Sequence, residues 1–200
     1  MKKEIKIFLA VFTMLLFTFS CDEKESGDIT PPGKLSVESI TPTNGGGIIS
    51  YTLPDDNDIL FVRAEYTNSL GVDVYRVSSV HNNQIEISGL NQTSSVEVSL
   101  YVVDNNDNIS QAEIVDFIPL ESFIYLVQES IEFSADLGGV RVSWENIESK
   151  TVYVYVHIQN GSEEEIRILS SNNPLENRFI RGLEATELTF LTKVEDFDGN

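Results

Sequence analysis

Apolar and polar residues alternate in short runs along most of this chain. Alternation is clearest at Val96, Val98 and Leu100 and at residues 152–158, and a period of two places such residues on one face of a β-strand. Between the runs lie stretches rich in Pro, Gly, Asn and Asp, which form turns. In the first half of the chain the runs cover residues 34–40, 47–53, 60–66, 72–78, 84–88, 96–103 and 109–118. Short strands about 8–12 residues apart, with no long amphipathic helix, predict an all-β sandwich.

The chain also repeats itself. Residues of the first half recur 93 positions later in two groups, Gly45, Gly46, Ile49, Ser50, Tyr51 as Gly138, Gly139, Val142, Ser143, Trp144, and Gly89-Leu90 as Gly182-Leu183. After one deletion, Val102, Asp104 and Asn108 recur as Val194, Asp196 and Asn200. A regular period indicates a duplicated module. The sequence therefore predicts a first module at residues 34–118 and a second at residues 119–200, with Trp144 in the second core.

The second module is predicted to be truncated. Its last residue, Asn200, corresponds to Asn108, so the sequence ends where its seventh strand should start. We expect that the sequence is a fragment, or that its end pairs with another strand, because an unpaired edge invites aggregation.

The N-terminus has the pattern of an export signal. Lys2, Lys3 and Lys6 precede an uncharged, mostly apolar run at residues 7–19, which is shorter than the roughly 20 residues that span a bilayer. The run stops at Cys21, the single cysteine, and acidic residues follow. This arrangement resembles a bacterial lipobox. The resemblance implies a signal peptide at residues 1–20, lipid attachment at Cys21 and an acidic tether at residues 21–33.

Composition narrows the possible partners. The chain has a formal charge of −19, and loss of residues 1–20 would remove three Lys and one Glu and leave −21. Such a charge repels phosphate, so we expect no nucleic-acid partner. A single cysteine permits neither an internal disulfide nor a thiolate zinc site, and no cofactor is predicted.

Two groups of residues are candidates for a binding site. Asp55, Asp56 and Asp58 in one loop and Asp104 and Asp107 in another are candidate calcium ligands, because calcium prefers several oxygen ligands. Asp is equally common in turns, and we favour solvated turns. Tyr153, Tyr155 and His157 alternate with buried positions and share one strand face. Such a face could stack on sugar rings, but aromatic residues on an outer sheet face also serve cross-strand pairing, and we favour that interpretation.

No catalytic constellation is recognisable, because a nucleophile needs a base within reach. His81 and His157 have no partner nearby in the sequence. We therefore predict that the chain is not an enzyme.

The segments "LSV" at 35–37, "ISY" at 49–51, "VSW" at 142–144 and the Gly-Leu pairs resemble tandem bacterial fibronectin type III modules. The tyrosine that pins one corner in that family is replaced by Val96 and Leu188, so we expect looser variants.

Together with the lipobox, "DITPPGKLSVESI", "YTLPDDNDILFVRAEY" and "GGVRVSWEN" resemble uncharacterised surface lipoproteins of Bacteroidetes polysaccharide-utilisation loci. That resemblance implies a surface-exposed outer-membrane lipoprotein that assists glycan capture, with glycans or uptake proteins as partners. The alternative is a structural spacer or protein-interaction module that presents a C-terminal domain.

Overall fold

A computed structural model describes residues 29–184 and 186–200. The predicted signal peptide, Cys21 and the first part of the tether lie outside the described residues. Within the described ranges, no helix is long and apolar enough to cross a membrane.

The first module is a sandwich of two antiparallel sheets. Its strands are β1 (Ser36–Thr43), β2 (Gly46–Thr52), β3 (Ile59–Thr67), β4 (Asp73–Ser79), β5 (Gln84–Ile87), β6 (Val96–Asp104) and β7 (Glu113–Phe117). One sheet has the order β1-β2-β5 and the other β4-β3-β6-β7. This is the strand order of a fibronectin type III sandwich, so the predicted fold is confirmed.

The second module repeats this arrangement with six strands among the described residues. Its strands are β8 (Glu132–Asp136), β9 (Gly139–Glu145), β10 (Val152–Asn160), β11 (Glu163–Ser171), β12 (Leu175–Arg181) and β13 (Thr189–Asp196). The sheets are β12-β9-β8 and β11-β10-β13. Among the described residues β13 pairs with β10 alone, whereas the equivalent strand β6 of the first module pairs with both β3 and β7.

Each module has its own core between its two sheets, built from the alternate residues that the sequence predicted. In β6 the inward residues Val96, Val98, Leu100 and Val102 are buried, and in β10 all four inward aliphatic residues are buried. Trp144 on β9 is 2% exposed and lies in the second core, which confirms its predicted position.

The repeated glycine pairs have a backbone role in both modules. Gly45 and Gly138 have φ of 74° and 73°, a left-handed conformation that glycine adopts without strain. At Gly46 a Cβ atom would lie 2.0 Å from the carbonyl oxygen of Ile87, and at Gly139 it would lie 1.9 Å from that of Ile180. The neighbouring strands therefore approach so closely at both places that no side chain fits.

One helix, α1 (Phe123–Glu129), was not predicted. It joins the two modules and packs Phe123, Ile124 and Val127 into the second core. At its end, Gln128 Nε2 donates a 2.5 Å hydrogen bond to Thr192 Oγ1 on β13. The helix thus lies against β13. A second difference is that β7 begins at Glu113 instead of residue 109.

In the first module a tyrosine that the sequence analysis did not single out joins β3 to the backbone that follows β5. The Tyr66 hydroxyl on β3 donates to the Ser88 carbonyl oxygen at 2.7 Å, and the Ser88 N–H lies 3.2 Å from the same hydroxyl. Burial raises the pKa of Tyr66, and the hydrogen bond to Ser88 partly offsets this. In the second module the corresponding inward residue of β10 is Ile158, so this bond has no counterpart there.

We predict that Tyr66→Phe lowers the free energy of unfolding by about 0.5–1.5 kcal/mol, because it removes the hydrogen bond to the partly buried Ser88 carbonyl. Denaturant unfolding would measure this loss. Tyr75→Phe is the matched control, since Tyr75 is 64% exposed. Equal stability of the two variants would contradict a structural role for the Tyr66 hydroxyl.

Candidate functional site

The strongest candidate site is the outer face of the sheet β11-β10-β13, which we call the β10 face. Tyr153, Tyr155 and His157 alternate along β10 with buried residues, so all three lie on the side away from the core. Strands rise about 3.3 Å per residue, so successive residues of this row are spaced by about 6.6 Å. The structure therefore brings together the three residues that the sequence grouped.

Neighbouring strands extend this row sideways into a surface. Tyr155 lies opposite Ile168 of β11 and Lys193 of β13, and His157 lies opposite Ile166 and Leu191. Directly opposed residues of antiparallel strands are close enough for their side chains to touch. The aliphatic members are open to water, because Ile166, Ile168 and Leu191 are 49%, 58% and 52% exposed. The β10 face is thus partly aromatic and partly aliphatic.

A charged cluster borders one end of the row. Tyr155 is hydrogen-bonded to Glu195, and this bond to a carboxylate raises the pKa of the phenol. Lys193 also binds Glu195, which raises the pKa of Lys193. The Lys193 bond, with a smaller contribution from Tyr155, outweighs partial burial and lowers the pKa of Glu195. A lysine donor and a carboxylate acceptor are therefore held beside a partly exposed tyrosine, an arrangement that suits a ligand carrying hydroxyl groups.

His157 is paired with a carboxylate at the other end. Its Nδ1 lies 2.9 Å from Glu164 Oε1. The cross-strand neighbours of His157 are the aliphatic Ile166 and Leu191, so neither supplies a nucleophile. This end of the face offers hydrogen bonding and stacking groups on an open surface.

The candidate calcium ligands are not gathered into one site. Among the described residues no group of three or more His, Cys, Asp or Glu side chains could hold a metal ion. Asp56 accepts a 2.8 Å hydrogen bond from the Gly33 N–H, which ties the end of the predicted tether to the first module. Asp58 is connected to the other loop only through its backbone, since its carbonyl oxygen accepts from the Asn105 N–H at 2.9 Å.

Asp104 instead organises its own turn. Its Oδ1 accepts 2.8 Å hydrogen bonds from the N–H groups of Asn106 and Asn108, and its Oδ2 accepts one from Asn108 Nδ2. Burial opposes ionisation of Asp104, but these hydrogen bonds outweigh it and lower its pKa. Asp107 in the same turn has φ of 64°, a conformation that Asp and Asn tolerate better than most residues.

The second module builds the same turn from the repeated residues. Asp196 Oδ1 accepts from the Asn200 N–H at 2.9 Å, and Asp196 Oδ2 accepts from Asn200 Nδ2 at 3.0 Å. The signal for this structure was present in the sequence, because Asp104 and Asn108 recur together as Asp196 and Asn200.

We predict that Asp104→Asn lowers the melting temperature at pH 7, and that the difference from wild type narrows in acid. The pKa of Asp104 is lowered in the folded state, so the stability that its ionised form contributes is fully present above the unfolded pKa of about 3.9. That contribution is lost as pH falls through the lower folded value.

Thermal unfolding between pH 7 and pH 2 would measure this effect. Asp107→Asn is the control, because asparagine fits the left-handed backbone at this position. We expect this variant to leave the melting temperature unchanged at each pH. A pH-independent difference between wild type and Asp104→Asn would contradict the assignment.

Comparison with known proteins gives families without assigned roles. Residues 32–119 match a domain of unknown function (DUF4959), and residues 120–200 match a second one (DUF5126). No curated protein matches the sequence.

Solved structures with a similar outline include a segment of two fibronectin type III domains from chicken tenascin, at 14% identity and a TM-score of 0.37. It is matched over 84% of this chain and 99% of its own. The chicken interferon gamma receptor alpha chain is similar at 14% identity and a TM-score of 0.33, over 86% of this chain and 92% of its own. The chain therefore matches two domains of unknown function in succession, DUF4959 in the first module and DUF5126 in the second, and both modules have the strand order of a fibronectin type III sandwich.

Proposed function

We propose that this chain is a non-catalytic accessory protein of the cell surface that captures glycans on its β10 face. The observation that carries the proposal is the partly exposed row of Tyr153, Tyr155 and His157, bordered by Lys193 and Glu195. Sugar rings have apolar faces that pack on aromatic rings, while their hydroxyl groups need donors and acceptors at the border. An open sheet face leaves water in contact with any bound ligand, which suits capture better than chemistry.

The proposed location rests on the sequence. A lipid anchor at Cys21 would hold the protein on the outer membrane, and more than one acyl chain gives stable anchoring. A charge of −21 after removal of residues 1–20 would oppose adsorption to anionic lipid. The anchor would therefore provide the membrane attachment, with glycans and outer-membrane uptake proteins as the partners.

A spacer or protein-interaction module is the second candidate. The observation that favours it is the exposed aliphatic border of the β10 face, formed by Ile166, Ile168 and Leu191. Contiguous exposed apolar surface commonly marks a protein contact. In that case the face would bind another protein, and the two modules would hold a further domain away from the membrane.

We predict that the full chain with Cys21→Ala is retarded in native gels that contain its polysaccharide, and that Tyr153→Ala with Tyr155→Ala weakens binding at least about tenfold, or about 1.4 kcal/mol. A panel of neutral and acidic polysaccharides serves as the probe. Tyr75→Ala is the matched control, because this exposed tyrosine lies on the first module.

Absence of retardation across the panel would overturn glycan capture. Equal losses in the Tyr75 control and the double variant would remove the β10 face from the binding site. Capture of an outer-membrane protein that depends on Leu191 and Ile168 would support the spacer instead.

We predict that intact mass measured from the native membrane shows the increment of a lipid anchor, and that Cys21→Ala abolishes it. Protease added to whole cells should digest the wild-type protein if it faces outward. An unmodified, released wild-type chain would contradict both the anchor and the surface location.

A further inference from the structure

The segment that joins the modules is held by hydrogen bonds to the first module. Residues 118–122 pass along the turn between β1 and β2. The Leu120 N–H donates to the Thr43 carbonyl oxygen and its own carbonyl oxygen accepts from the Gly45 N–H, both at 3.1 Å. Asn44 Nδ2 donates to the Glu121 carbonyl oxygen at 2.8 Å. The linker therefore forms a parallel bridge with Asn44 of this turn. These hydrogen bonds fix the path of its backbone along the first module.

Two charged pairs cross from one module to the other. Arg76 Nη2 on β4 lies 2.5 Å from Asp198 Oδ2, and Lys150 Nζ lies 3.1 Å from Glu86 Oε1 on β5. Each module supplies one cation and one anion, so the two surfaces are complementary in charge. Lys150 also lies 5.5 Å from the ring centroid of Phe123 at the start of α1, a cation–π distance.

Duplication provides an internal comparison for this surface. A Cβ atom at Gly45 would lie 3.1 Å from Ser122 Oγ, and one at Gly89 would lie 2.9 Å from Asn200 Nδ2. At the equivalent Gly138 and Gly182 a Cβ atom would meet nothing within 4 Å. The same two glycines are thus covered in the first module and open in the second.

The arginine of β4 shows the same divergence. Arg167 on β11 occupies the place of Arg76, because Val156 pairs with Arg167 as Ala64 pairs with Arg76. Arg167 pairs with Glu165 of its own strand at 2.6 Å, whereas Arg76 pairs with the other module. The first-module surface differs from its own copy where it meets the second module.

We propose that the surface of the first module around Gly45, Gly89, Arg76 and Glu86 is a dedicated docking surface for the second module, so that the two modules act as one rigid body. This inference does not depend on what the β10 face binds. It means that the β10 face is held at a fixed angle to the first module.

Distance measurements between spin labels test the proposal on the full chain. Cys21→Ala removes the native thiol, and Ile114→Cys on β7 with Leu175→Cys on β12 provides one exposed label site in each module. We expect one narrow distance distribution. Arg76→Asp with Lys150→Glu should broaden the distribution and shift it, because both crossing pairs become like-charge contacts.

Two further variants distinguish the contact between the modules from general effects of charge. Arg76→Asp combined with Asp198→Arg restores the first pair in reverse and should return the narrow distribution. Arg167→Asp makes the same charge change at the equivalent position of the second module, within one strand, and should leave the distribution unchanged. Circular dichroism would establish that each variant is folded.

A broad wild-type distribution would overturn the proposal, since modules on a free linker sample many separations. It would also be overturned if the Arg76→Asp, Lys150→Glu variant gave the same distribution as Arg167→Asp. If the wild-type chain gives a narrow distance distribution but binds no polysaccharide, only glycan capture is contradicted. The two proposals can therefore fail separately.

Discussion

Burial of every second residue of β10 determines what the second module presents to water. Val152, Val154, Val156 and Ile158 fill the space between the sheets, so the residues between them must face outward. A slip of one residue would exchange the two faces and expose the core side chains. The β10 face is therefore a direct consequence of core packing, and its aromatic residues require no loop to position them.

The two modules share the residues that determine backbone geometry more closely than they share surface residues. Both copies retain the glycine at the point where adjacent strands nearly touch, because a Cβ atom there would collide with a carbonyl oxygen. Both retain the aspartate that accepts from the asparagine four residues later. In contrast, the position of Tyr66 is taken by Ile158 in the second copy. Arg167, at the position of Arg76, pairs within its own strand. The modules share a fold because the backbone constraints are shared, and they differ in what their surfaces contact.

Period-two alternation and the repeat predicted the strands, both cores and the grouping of Tyr153, Tyr155 and His157. Helix α1 was missed because its seven residues are too few for helical periodicity to stand out from the apolar strands around it. Asp104 was grouped with the other acidic residues because sequence shows the charge of a carboxylate, while the backbone of the turn decides which N–H groups it accepts from. Arg76 and Asp198 lie 122 positions apart, and no local pattern connects such partners.

The linker that follows β7 connects the contact between the modules to the core of the second module. Ser122 lies against Gly45, and the next residues, Phe123 and Ile124, are buried in the second module. Displacing the linker from the first module would therefore pull on side chains that the second module needs for its own stability. Further along α1, Gln128 contacts the inward side of β13. Module orientation and core packing depend on the same short stretch, so the angle between the modules is tied to the folding of the second one.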